Sequence, residues 1–137
     1  MSDTTTAPAA ADAATQAALE RLNTVIDRLI APDGCPWDST QTPESLTEYV
    51  IEECHELVDA IRSGKTADMV EELGDVAFLI LLIGKLMARA GGPSLADALE
   101  VEAAKMVRRH PHVFSDTTYE SQSEQLKDWD RIKREEK

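Results

Sequence analysis

The chain reads as an all-α protein, an antiparallel helical bundle, and three observations predict it. Its 137 residues are 42% hydrophobic but only 4% aromatic, so the core is built mainly of Leu, Ile, Val and Ala, which suit packed helices better than sheets. Apolar side chains recur at spacings of three and four in successive stretches. The breaks between those stretches carry helix-ending residues: Pro32 and Gly34, Ser63 and Gly64, then Gly91, Gly92 and Pro93. A chain of this length fills one ordinary domain, expected over residues 17–137. Residues 1–16, rich in Ala, Thr, Ser and Asp, have no periodic apolar positions and read as a disordered leader.

From Ala17 the positions Leu19, Leu22, Val25, Ile26, Leu29 and Ile30 mark a first amphipathic helix. Residues 31–42 hold two prolines, a glycine and several cap-type side chains, and predict an irregular loop. A second helix starts at Pro43, capped by Thr42, and runs to about Arg62. Its stripe is Leu46, Tyr49, Val50, Glu53, Leu57, Ala60 and Ile61, so one member of an apolar stripe is an acid. A third helix runs from about Thr66 to Ala90. Its second half, VAFLILLIG, is apolar all round, which predicts burial on most sides and a second copy of the chain to complete the bundle. Ser94 with Asp97 forms a capping box for a fourth helix ending at Arg109, and Ser121 with Glu124 repeats the signal for a last helix carrying Leu126, Trp129 and Ile132.

Charge narrows the function. With 14 Lys and Arg against 26 Asp and Glu, a net charge of −12 argues against a partner made of nucleic acid polymer. The longest apolar run, residues 76–84, stops at Lys85, far short of the roughly 20 residues needed to span a bilayer. The N-terminus has no basic, apolar signal core, so a cytoplasmic location without membrane attachment is expected. Cys35 and Cys54 lack metal-knuckle spacing and read as free thiols.

The informative residues are acids. Residues 52–56 read EECHE and residues 71–75 read EELGD, on successive helices joined by a short turn. Positions three apart on a helix lie about 60° and about 4.5 Å from one another, so Glu53 and Glu56 project as neighbours, and so do Glu72 and Asp75. The short connection packs the two helices antiparallel and lets the pairs face each other. Most helical Glu residues are solvated, but Glu53 lies in line with Leu46, Val50, Leu57 and Ala60, and Glu72 and Asp75 border the most apolar segment. Unpaired carboxylates gathered there require a cation. Four hard oxygen donors suit Mg²⁺, with Mn²⁺ as a substitute, rather than Zn²⁺. Glu52 and His55 form a Glu-x-x-His pair of the di-iron kind, but EELGD supplies no second histidine.

With these residues laid out, GCPWDSTQT, EECHE, EELGD and KMVRRHPHVF occur in the order found in MazG proteins, and the chain resembles that family over residues 19–137. The resemblance implies an all-α, dimeric or tetrameric enzyme that uses Mg²⁺ to hydrolyse nucleoside triphosphates to the monophosphate and pyrophosphate. It implies Glu53, Glu56, Glu72 and Asp75 as metal ligands, with Glu53 and Glu56 also in the catalytic set. Glu52 is a candidate supporting acid or water-activating base. Lys105, Arg108 and Arg109 match phosphate-contacting positions; the competing reading is a basic helix end favoured by the helix dipole. Trp129 resembles the family's base-stacking tryptophan, and an apolar anchor for the last helix fits as well. Residues 35–38 line the entrance to the site or form a rigid loop packed by Trp37, while His110 and His112, flanking Pro111, read as local caps after the helix, with phosphate contact as the competing reading. Many members carry two such domains, whereas this chain has one, similar to the first. Where relatives have Thr-Tyr, this chain has Cys54-His55. Two further readings stay open: a narrower nucleotidase acting on dUTP or dCTP, and a helical interaction or regulatory module of the same fold without turnover.

Overall fold

The computed structural model describes residues 6–137; Met1–Thr5, part of the segment expected as a leader, lie outside the described residues. Every regular element among the described residues is helical. The chain divides into two compact units, Met1–Gly92 and Pro93–Lys137, each with its own packing.

The first unit is built on three long helices. Helix α1 spans Thr6–Leu29, beginning upstream of the Ala17 start read from periodicity. Alanine costs the least side-chain entropy in a helix, so the run at 9–11 and 13–14 extends it, although these residues are exposed and bury nothing. The following loop contains a short helix, α2 (Pro36–Ser39), too brief to show a period in sequence. The loop turns back tightly: Gly34 N–H donates to Ala31 O at 2.8 Å and Cys35 N–H to Leu29 O at 2.7 Å. A Cβ on Gly34 would collide with the backbone carbonyls of Arg28 and Leu29, so only glycine fits this crossing.

The second long segment starts as a 3-10 turn, Glu44–Leu46, and continues as α3, Thr47–Ser63. Thr42 and Ser45 cap it reciprocally, each hydroxyl oxygen accepting from the other's backbone N–H, at 3.2 and 2.9 Å. Gly64, at φ 73°, takes the left-handed position that ends α3, and Lys65 leads directly into α4, Thr66–Arg89. That two-residue connection makes α3 and α4 an antiparallel hairpin, and α1 packs on α4. Ile26, Leu46 and Leu82 are fully buried at their junction, with Ala60, Leu79, Leu81 and Leu86 around them. Two polar ties close the end of the unit: Lys85 Nζ meets Asp27 at 2.6 Å, and Arg89 donates to the carbonyls of Ile30 (3.3 Å) and Ser39 (2.9 Å).

The apolar half of α4, residues 76–84, is buried or half-buried at every position except Ile80. Val70, Leu73, Ile80 and Met87 stay exposed, and their spacings of three, seven and seven put them on one stripe of the helix.

The second unit comprises α5 (Leu95–Arg109), α6 (Pro111–Phe114) and α7 (Gln122–Glu135). The Ser94–Asp97 capping box forms, with Ser94 N–H donating to Asp97 at 2.8 Å. Ser121 Oγ accepts Glu124 N–H at 3.1 Å, while Glu124 reaches back to Glu120 N–H at 3.0 Å. Both α6 and α7 pack on α5, and Ile132 is the buried side chain of α7.

Candidate functional site

In the first unit the α3–α4 hairpin brings Glu53, Glu56, Glu72 and Asp75 together: one carboxylate oxygen from each lies within 4.8 Å of all the others. The i, i+3 spacing stacks each pair on one helix face, and the tight turn at Gly64 aligns the two faces. Glu53 and Glu72 are half-buried, Glu56 and Asp75 exposed, so the cluster opens to solvent on one side.

The electrostatics of the cluster are those of like charges brought close together. Among the described residues, Oε2 of Glu53 and Oε2 of Glu72 are buried without any hydrogen-bond partner. Burial, then the charges of Glu56 and Asp75, hold the Glu53 carboxyl above the usual carboxylate range. Glu72 is pushed up to about 7, first by burial, then by a hydrogen bond with Glu56 and the charges of Glu56, Asp75 and Glu53. No Lys or Arg among the described residues pairs with any of the four. Hard cations coordinate oxygen at about 2.0–2.6 Å, so oxygens across an ion lie about 4–5 Å apart, the scale of this cluster. The two orphaned oxygens and the all-carboxylate donor set fit a hard divalent cation.

Other acids and thiols near the hairpin do not join. Glu52, Cys54 and His55 are exposed on α3 and outside the converging set, so the Glu-x-x-His pair has no metal partner here. Both cysteines are free. Trp37 packs edge-on against Tyr49, ring centres 5.7 Å apart, which ties the 31–42 loop to the start of α3.

In the second unit Lys105 and Arg109 lie one turn apart on α5, and neither is idle. Lys105 pairs with Glu102 at 3.3 Å. Arg108 and Arg109 both bind Glu136, just beyond α7: Arg108 Nε at 2.9 Å, Arg109 Nε at 3.2 Å and Arg109 Nη2 at 2.9 Å. These contacts hold the Glu136 carboxyl down at about 2, the Arg109 bonds contributing most. Sequence reasoning missed Glu136. Its one available signal was its place seven residues after Trp129, on the same face of the last helix.

Trp129 is half-buried, with the Arg109 guanidinium 5.6 Å from its ring centre and the His110 ring edge-on at 4.8 Å. Within its own unit it therefore holds α7 to the end of α5. His110 Nδ1–H donates to Met106 O at 2.6 Å, a local cap as read from sequence. His112 lies between His110 and Tyr119 with its ring tilted to both, and its Nδ1 has no partner among the described residues, so unlike His110 it does not cap the helix.

A hairpin of two antiparallel helices that gathers four carboxylates at a spacing able to hold a metal ion defines the class: an all-α protein with a carboxylate cluster between two helices. Residues 41–114 match the MazG nucleotide pyrophosphohydrolase domain, and the chain belongs to that family. It is 40% identical over 118 residues to the Thermotoga maritima nucleoside triphosphate pyrophosphohydrolase/pyrophosphatase MazG, covering 86% of this chain and 45% of that one. It is 38% identical over 120 residues to the Escherichia coli nucleoside triphosphate pyrophosphohydrolase, covering 87% and 46%. The chain thus spans about half the length of these relatives. The crystal structure of a mazG-related protein from Thermotoga maritima superimposes with a TM-score of 0.70 at 30% identity, covering 84% of this chain and 98% of that one.

Proposed function

We propose that this chain hydrolyses nucleoside triphosphates, ribo- and deoxyribonucleotides alike, to the monophosphate and pyrophosphate, and serves to clear the cytoplasmic nucleotide pool. The observation that carries the reading is the convergence of Glu53, Glu56, Glu72 and Asp75, two of them with orphaned buried oxygens, in a chain of the MazG family. Those four would hold Mg²⁺ or Mn²⁺, which when bound neutralises the triphosphate and makes a bound water a stronger acid.

The chain's own residues divide the remaining work. Glu52, Glu53 and Glu56 form the catalytic set; Glu52, exposed and outside the four ligands, is the acid free to accept the proton of the attacking water, and Glu52→Gln tests whether it does. Lys105, Arg108 and Arg109 contact the phosphates, countering a chain whose net charge of −12 would otherwise repel a triphosphate. Trp129 offers a ring to the base, and stacking accepts any base face, which suits a broad substrate range.

Pyrophosphate release with each of eight nucleotides, with and without Mg²⁺, is the test. Release from all eight in Mg²⁺ supports broad clearance, release from dUTP or dCTP alone marks a narrower nucleotidase, and none marks a binding module without turnover.

The partner for the exposed Val70, Leu73, Ile80 and Met87 stripe is a second copy of the chain, as a homodimer or within a homotetramer. A monomer by light scattering at micromolar concentration, with full helicity, would exclude it. No described helix is long and apolar enough to cross a membrane.

A further inference from the structure

The two arginines raise a geometric problem. Arg108 and Arg109 are adjacent on α5, so their side chains leave the helix about 100° apart and their like charges drive them further apart. Glu136 overrides both tendencies: its two carboxylate oxygens take three guanidinium N–H donors, one from Arg108 and two from Arg109. The side chains of Arg109 and Glu136 are only 16% and 15% exposed, and the Trp129 ring lies beside the Arg109 guanidinium, which limits its freedom further.

What the carboxylate leaves free is as informative as what it binds. Among the described residues, Arg108 spends only Nε on Glu136 and its two Nη groups make no other hydrogen bond. Arg108 is half exposed and lines a surface cavity of about 730 Å³ with Thr118, Lys127 and Arg134, and with the acids Glu124 and Asp128, which are held by the Glu120 N–H and by Arg131. A planar fork with one edge pinned and the other open recognises phosphate with little ordering cost left to meet.

We propose that Glu136 is a positioning residue for nucleotide binding: it gathers Arg108 and Arg109 and holds the free Nη edge of Arg108 toward this cavity, where it meets a phosphate group. This rests on the phosphate-contacting role given above to the two arginines. It extends that role to an acid, which by charge alone would repel the substrate.

Binding of inorganic tripolyphosphate to the full chain without divalent metal, followed by calorimetry, tests it. Glu136→Gln is expected to weaken binding about tenfold, the loss of one well-oriented charged contact. Glu136→Asp, which keeps the charge, is expected to recover part of it. In turnover the Gln variant raises KM more than it lowers kcat, a split that a purely structural role would not produce. Binding by Glu136→Gln as tight as the parent's, with only a lower Tm, would make Glu136 a plain helix tie. Tighter binding would make it a competitor of the phosphate; either result overturns the inference, as would a parent that does not bind tripolyphosphate. If Glu136→Gln fails to fold, Glu136→Asp carries the comparison, and parent-like affinity there overturns the inference too. Pyrophosphate release by the parent in Mg²⁺ reports separately on the hydrolase reading.

Discussion

The two units handle charge in opposite ways. The first carries 16 of the 26 acidic residues and 6 of the 14 basic ones, and among the described residues its four converging carboxylates have no Lys or Arg partner. The second holds 10 acids and 8 bases, and Lys105, Arg108, Arg109 and Arg131 are each paired with a carboxylate. A folded chain tolerates uncompensated charge at a cost in stability, and the cost is met where an ion from solution completes the site. Charge in the second unit is instead balanced internally, which orders long side chains in advance of any ligand.

Breaking the first pattern is expected to give the largest effect. Glu53→Gln or Asp75→Asn lowers Mg²⁺-supported turnover about a hundredfold or more, while the metal-free protein is as stable as the parent or more so, because a repelling charge has gone. A variant retaining more than about a tenth of parental turnover at saturating Mg²⁺ takes that residue out of the ligand set.

The second unit responds differently. Lys105→Ala and Arg109→Ala weaken nucleotide binding by about 1–3 kcal/mol each, measured by titration with a non-hydrolysable triphosphate in Mg²⁺. A helix-dipole role predicts instead a stability loss of about 0.3–1 kcal/mol with unchanged kinetics. Arg109→Ala also strands part of the Glu136 carboxylate, so Lys105→Ala is the cleaner comparison. Trp129→Ala separates its two readings: a base-stacking role raises KM for every nucleotide, and an anchoring role lowers Tm first.

The smallest effect sharpens the contrast through pH. Glu72 is raised from 4.5 to about 7 in the folded chain, so the folded state holds that proton more tightly than the unfolded one. Stability of the metal-free protein therefore falls as pH rises through this window. In chelator, Tm is expected to decline between pH 5 and 7, Glu72→Gln to flatten the decline, and Mg²⁺ to reverse it. A decline of equal slope in Glu72→Gln would assign it to other groups.

Much of this was legible in the sequence, for identifiable reasons. Ser94–Asp97 and Ser121–Glu124 announce helix starts because capping is local chemistry, and both form. The four acids were visible because helical geometry fixes which neighbours three apart share a face, and the brevity of Gly64–Lys65 fixes how two such faces meet. Short α2 and α6 escaped because four residues show no period. The helical start at Thr6 escaped because alanine forms helix without an apolar stripe to betray it. Glu136 escaped because its partners lie 27 and 28 positions upstream, a separation that no local pattern encodes.

The close crossing at Gly34 has an optical consequence. A methyl group there must push the end of α1 away from the loop that follows, and Trp37, three residues on, would lose its edge contact with Tyr49. Indole emission responds to local polarity, so Gly34→Ala in a Trp129→Phe background is expected to shift the emission of the remaining tryptophan to the red. The glycine of GCPWD thereby becomes a dial on chain routing that a fluorimeter can read without substrate.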